Sequence, residues 1–146
     1  MVQLGDASAE VDVCWGGFYA TEEEDGEGYG VFRLLDFNIE AYHASLYKEK
    51  FDQLPTLDQA LALTPFVDHV PIDSRQLVRY PVEFIGAEPL VVGDFAGYDR
   101  YLEAKGVEDQ SRQDLIERLV GFSLKDPVPL HLDISDGELS VTERQA

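Results

Sequence analysis

Positive charge is what this chain has least of. Its 11 lysines and arginines face 29 acids over 146 residues, a formal charge of −18, and no cationic side chain precedes Arg33. Ahead of it stand Asp6, Glu10, Asp12, Glu22, Glu23, Glu24, Asp25 and Glu27. Such an imbalance repels phosphate backbones and anionic lipid and draws basic partners, so neither nucleic acid nor a membrane surface is an expected ligand. Cysteine is nearly absent as well. Cys14 stands alone and cannot close an internal disulfide, and no basic, apolar and small-residue leader pattern opens the chain; a cytoplasmic protein is expected. No segment approaches the roughly eighteen consecutive apolar residues of a bilayer span.

What is present is the composition of a globular domain. Hydrophobic residues make up 45% and aromatics 11%, whereas a disordered acidic chain would be poor in Tyr, Phe and Val. A chain of this length can bury about two thirds of its unfolded surface without disulfides or metal. The acidity itself admits three readings: adaptation to a salty cytoplasm, solubility, or a functional acidic face. Local clustering favours the last, since Glu22 to Glu27 puts five acids in six residues. A solvated hairpin tip would also tolerate that run, because like charges are screened beyond about 8 Å.

Periodicity outlines the elements. Val11, Val13 and Trp15 alternate with Asp12 and Cys14, and Gly16-Gly17 follows, predicting a strand with a bulge or sharp bend before Phe18 and Tyr19. The stretch from Thr21 to Gly28 carries the Asp25-Gly26 chemistry of a hairpin turn. Tyr29 to Phe37 and Ala41 to Tyr47 then complete a meander. Pro55-Thr56, with Leu57, Ala60, Leu61 and Leu63 ahead of Pro65, predicts one or two helical turns. Further strands are expected over Phe66 to Ile72 and Leu77 to Ile85, the second closed by Gly86 and confined by Pro81 to an edge or bulge. Asp94 is the expected N-cap of a helix carrying Tyr98, Tyr101 and Leu102 and closed by Lys105 and Gly106. Ser111 with Asp114 resembles a capping box for a second helix, striped by Leu115, Ile116, Leu119 and Val120. Leu130 to Thr142, turning at Asp136-Gly137, reads as a terminal hairpin. The expected fold is α+β: a mainly antiparallel, strongly bent sheet or small partly open barrel with two C-terminal helices and a terminal β-hairpin. Residues 1–146 read as a single domain, with a β-rich body over 11–92 and an extension over 93–146, the link from Gly106 to Ser111 being the candidate hinge.

Motifs for catalysis are thin. His43, His69 and His131 have neither an i, i+4 pair nor a cysteine at zinc spacing, so surface or hydrogen-bonded histidines are favoured over metal ligands. Cys14, among apolar neighbours, reads as a buried thiol. Asp12, Glu40 and Glu83 qualify by type as acid or base, but carboxylates are too abundant here for type to select any. The glycines of Gly26-Glu27-Gly28-Tyr29-Gly30 lie among acids that would repel phosphate, and the acids lack the ligand spacing of a calcium loop. Neither catalytic residue, cofactor nor metal is expected. Aromatics, by contrast, crowd the first meander, where tyrosines beside carboxylates suit a protein-binding face; packing on both sides of a small barrel is the favoured account of most of them, with one or two left at the surface.

The segment Phe18 to Leu35, with its Asp25-Gly26 turn and Gly28-Tyr29-Gly30-Val31-Phe32-Arg33-Leu34-Leu35, resembles a bacterial family of polymorphic-toxin immunity proteins. In that family a hairpin of the type aromatic, turn, Tyr-Gly-x-x-Arg-Val-Leu opens a small partly open barrel. Phe66 to Ile72, and then Tyr80-Pro81-Val82-Glu83-Phe84-Ile85-Gly86-Ala87-Glu88-Pro89-Leu90, are similar to its later strands. The resemblance covers residues 15 to 92, and the helices and hairpin beyond Leu90 have no counterpart in it. It implies a noncatalytic protein that binds and neutralises a cognate, basic toxin. The partner-binding residues expected are Trp15, Tyr19, Glu22, Glu23, Glu24, Asp25, Glu27, Tyr29, Tyr42 and Tyr47. Two rival readings stay open. A small-ligand module or carboxylate-dependent enzyme needs a concave site with a perturbed carboxyl, and a self-assembling structural protein needs an unprotected strand edge.

Overall fold

The computed structural model describes residues 9–23, 26, 28–37, 41–73, 75–76, 82–124, 130–135 and 138–143. Strands β2 (Gly17–Glu22), β3 (Tyr29–Phe37), β4 (Ala41–Leu46) and β5 (Val67–Asp73) form an antiparallel meander. Strand β6 (Val82–Ala87) returns to pair with β2, giving the order β5-β4-β3-β2-β6. The edge strands do not pair with each other, so the sheet is open rather than closed into a barrel. A second sheet has the order β1-β7-β8, joining β1 (Ala9–Val13) to the terminal hairpin of β7 (Leu130–Ser135) and β8 (Glu138–Glu143). The expected Asp136-Gly137 turn and residues 77–81 lie outside the described residues.

The single kinked strand expected around Gly16-Gly17 is two strands in two different sheets. Gly16 adopts φ 81°, and a Cβ there would stand 2.3 Å from the Glu88 carbonyl oxygen. Only glycine lets the chain turn that sharply while passing so close to the exit of β6. Its N–H donates to the Leu34 carbonyl, and its own carbonyl accepts from Glu88 N–H.

Side-chain alternation sorts the large sheet into two faces. One carries Tyr19, Phe32, Leu34, Phe37, Tyr42 and Ala44. A ladder of rings crosses its strands: Phe84 to Tyr19 at 5.5 Å, Tyr19 to Phe32 at 5.3 Å and Phe32 to Tyr42 at 5.5 Å. The other face carries Phe18, Val31 and Tyr47 beneath helix α1 (Leu57–Leu61), and Leu35 beneath the later helices. Three register shifts, at Leu35, at Asp68 and His69, and at Ile85, interrupt the ladders. Each bulge adds local twist, and together they coil the sheet.

Helix α1 forms where Pro55-Thr56 predicted it, started by a reciprocal capping box between Thr56 and Gln59. Helix α2 (Ala96–Ala104) follows a 3-10 turn at Val92–Phe95. Asp94 therefore lies inside that turn and is not the N-cap of α2; its carboxylate accepts from Val91 N–H at 2.8 Å and pairs with Arg33 at 3.5 Å. The other end of α2 closes as expected at Lys105 and Gly106, where Gly106 and Val107 N–H groups donate to the Glu103 and Leu102 carbonyls. Helix α3 (Asp109–Leu124) starts earlier than the Ser111 cap predicted. Ser111 and Asp114 sit within it, because Arg112 N–H already reaches the Glu108 carbonyl. Arg112 also donates to Asp99 at 2.8 Å, Asp109 at 3.2 Å and the Val107 carbonyl at 2.6 Å, bracing the link between the helices. The expected stripe holds: Ile116 and Leu119 are buried with Leu35, Leu90, Phe95 and Tyr98, and Leu115 and Val120 pack beside them. Gly86 does not close β6, which runs on to Ala87.

Candidate functional site

By strand pairing, Glu22 and Tyr42 belong to opposite ends of the sheet. Glu22 pairs with Tyr29 at the start of β3, and Tyr42 with Phe37 at its end. Both nevertheless line one cleft of about 950 Å³. Coiling has brought diagonally opposite corners of the sheet together. The walls combine acids, Glu22, Glu23 and Asp73, with Tyr42, Pro71, Ile72 and Val82, and no cation is among the described lining residues.

The acids differ in their surroundings. Glu23 pairs with Lys50, and Asp73 accepts from Arg75 N–H at 2.9 Å and pairs with its guanidinium at 3.7 Å. Both cations are more than half exposed, and pairs of this kind contribute about 0–1 kcal/mol. Glu22 is exposed and has no ion-pair partner among the described residues. Tyr42 is only 6% exposed, and among the described residues nothing bonds its hydroxyl. Burial pushes its pKa up to about 12, so the hydroxyl stays neutral and can donate and accept at once.

The structure divides the expected partner-binding residues. Glu22, Glu23 and Tyr42 meet at the cleft. Glu24, Asp25 and Glu27 lie outside the described residues; Glu23 N–H donates to the Gly28 carbonyl. Tyr29 is half-buried and tied through its backbone to Phe51. Two aromatics, Tyr19 and Tyr47, are corrected from surface to interior. Tyr19 is fully buried and its hydroxyl accepts from Cys14 N–H at 3.1 Å. Tyr47 is buried against Phe18 and lines a separate cavity of about 320 Å³ beside Arg33 and Asp94. Trp15 is half-buried, edge-on to Phe122 at 5.4 Å, and its indole N–H donates to Asp36 at 3.3 Å. Both faces of β2, β3 and β4 are largely covered, as packing on both sides of the sheet requires.

A second polar constellation lies between the sheet and α2. The bulges turn Asp36 and His69 toward that helix, and Gly97 lets it approach β5, since a Cβ there would meet Asp68 Cβ at 2.7 Å. His43 Nδ1 and His69 Nε2 lie 2.7 Å apart, one imidazole donating to the other, and both rings stack on Tyr98 at 4.5 and 4.8 Å. Tyr98 in turn donates to Asp36 at 2.8 Å. Burial holds both imidazoles down to about 4, with the neighbouring His43 adding to the effect on His69. Desolvation raises the Asp36 carboxyl despite its hydrogen bonds. None of these four residues lines either cavity, so the network locks α2 to the sheet. The two histidines are far apart in sequence, and only the β4–β5 register joins them. His131 is not among the residues whose side chains are described.

An α+β fold with an open, coiled antiparallel sheet and C-terminal helices thus presents an acidic, tyrosine-floored cleft. No family model, curated protein or solved structure matches the chain. Among the described residues no helix is long and apolar enough to cross a membrane.

Proposed function

We propose that the protein is a noncatalytic cytoplasmic inhibitor of the bacterial immunity type, which binds a basic toxin domain and blocks it. The carrying observation is that Glu22 and Glu23, the first two acids of the run in sequence, border a concave surface with apolar walls. The acids supply long-range attraction, and the cleft offers area that a partner can desolvate. A further feature fits the resemblance that motivated this reading: its two motif segments are tied together, Arg33 donating to the Glu88 and Pro89 carbonyls at 2.9 and 3.4 Å. A second reading, a site for a small cationic ligand, is favoured by the cleft volume of about 950 Å³, which is ample for a small molecule.

Capture of partners on the tagged protein from its own cells, at low and moderate salt, tests the inhibitor reading. A stoichiometric basic protein retained at moderate salt is the expected result. With that partner in hand, the Glu22→Ala, Glu23→Ala, Glu24→Ala, Asp25→Ala variant should associate at least about tenfold more slowly at low salt, with a flatter salt dependence. Unchanged kinetics would remove the hairpin acids from the interface.

A further inference from the structure

We infer that the cavity of about 320 Å³ is a second binding site, separate from the acidic cleft, for a small neutral molecule whose polar end is a carboxamide. Its floor is the centre of the large sheet. Register sets Phe18 of β2, Arg33 of β3 and Ser45 of β4 in one cross-strand row, with Leu35 and Tyr47 beside it. The rim comes from the α1–β5 connection and from the 3-10 turn and first residues of α2, Gly93 and Ala96 among them. No described residue lines both this cavity and the acidic cleft. The two lie on opposite faces of the sheet, Tyr42 on one and Phe18 and Tyr47 on the other.

The polar end of the ligand follows from Arg33, which is only 9% exposed. Its Nη2 donates to the Glu88 and Pro89 carbonyls, its Nε to the Gly16 carbonyl at 3.4 Å, and its flat face rests on the Phe18 ring. Nη1 is the nitrogen left for Asp94, and it stands 3.5 Å from Oδ2. That exceeds the roughly 2.7–2.9 Å of a charge-assisted hydrogen bond, while Oδ2 already accepts from Val91 N–H at 2.8 Å. A donor and an acceptor thus stand side by side on the cavity wall, incompletely matched to each other. A carboxamide fits both at once: its carbonyl oxygen accepts from Nη1 and its NH₂ donates to the Asp94 carboxylate. Burial pushes the Tyr47 pKa up, while Arg33 lowers it and Asp94 raises it, so a neutral hydroxyl stands in the field of the same two charges. Charge selects against the alternatives. A carboxylate entering here meets Asp94 and Asp68, and an ammonium meets Arg33. Phe18, Leu35, Leu63 and Pro65 supply apolar wall for the rest of the ligand. The volume is at the small end of ligand cavities, roughly 300–1,000 Å³, which suits a single ring rather than a nucleotide.

The test is an amide NMR titration of the full chain with benzamide, alongside acetophenone, which keeps the ring and carbonyl but lacks the N–H donors, and benzoate, which carries the negative charge. Saturable shifts at Arg33, Ser45, Gly93 and Gly97 are expected for benzamide, at least about tenfold weaker binding for acetophenone, and none for benzoate. Asp94→Asn keeps an acceptor for Val91 N–H and should weaken benzamide several-fold while leaving acetophenone unchanged. That split distinguishes a lost hydrogen bond to the ligand from a general loosening of the turn. Ala96→Phe sets a ring at an exposed rim position and should abolish the benzamide shifts with the melting midpoint unchanged; it decides the matter alone if Asp94→Asn melts early. Equal affinity for the three probes, shifts spread over the surface, no saturable shift at all, or full benzamide binding by folded Ala96→Phe would overturn the site. Each of those results leaves the inhibitor reading standing, because that reading rests on residues of the other face.

Discussion

Asp36 serves three donors with two oxygens. Oδ1 accepts from Trp15 Nε1 and Phe37 N–H, and Oδ2 from Tyr98. Asp36→Ala leaves those donors unpaired in a buried setting and should cost about 2 kcal/mol or more. Asp36→Asn keeps the shape, lets the Tyr98 hydroxyl reverse its role, and removes a buried charge. Its stability should therefore stay within about 1 kcal/mol of the parent. Urea unfolding followed by fluorescence of Trp15, the chain's one tryptophan, checks both. The neighbouring histidines predict a pH dependence of definite sign. His43 and His69 are held at about 4 in the fold against an ordinary value of 6.5, so between these values the unfolded chain binds more protons. Their contribution to stability is present above pH 6.5 and is lost as the pH falls toward 4, where the loss levels off. Asp36, raised in the fold, acts oppositely: its contribution is largest at low pH and disappears as the pH rises through its folded value. In the His43→Phe, His69→Phe variant the fall in melting midpoint between pH 6.5 and 4 should be smaller.

Turns and bulges decide what the elements can do. Gly16 separates two sheets, and its φ of 81° and the Glu88 carbonyl leave no room for a side chain. Gly16→Ala combines backbone strain with a clash against main chain and should lose about 2 kcal/mol or more. Gly121 offers the contrast. It lies within α3 and a Cβ there meets nothing within 4 Å, so Gly121→Ala should gain roughly 0.5–1 kcal/mol by restricting the unfolded chain. Parallel urea denaturation of the two variants measures both signs. The edge strand β5 carries Pro71, Asp68 and Asp73, features that discourage strand addition; the self-assembly reading therefore finds little support at that edge.

Over the whole molecule, a charge of −18 works against compactness, because folding brings like charges together. The field reaches about 30 Å at 0.01 M salt and only about 3 Å at 1 M. The melting midpoint should accordingly rise with sodium chloride over this range, most steeply at the dilute end. A midpoint indifferent to salt would show that the fold spaces its acids well enough to escape their repulsion. The same field is available to steer a basic partner, so the slope of stability with salt and the slope of association rate with salt should have opposite signs.

Local order in the sequence determined the elements. Period-two alternation in Ala41 to Tyr47, the Thr56 cap, the stripe Leu115, Ile116, Leu119 and Val120, and the Gly106 terminus are each encoded within a few residues, and each formed. The α+β class and the mainly antiparallel pairing followed from their order, whereas the choice between a bent open sheet and a partly open barrel did not. Tertiary structure alone decided which face each aromatic took. Alternation assigns Tyr19, Tyr42 and Tyr47 to faces of a strand but cannot say that both faces are covered, and so cannot bury Tyr19 and Tyr47 while leaving Tyr42 at a cleft. It alone also set Glu22 and Asp73 on one cleft and brought His43 into contact with His69. Those contacts depend on bulges that accumulate twist along paired strands, and twist is a property of the assembled sheet that no short stretch of sequence carries.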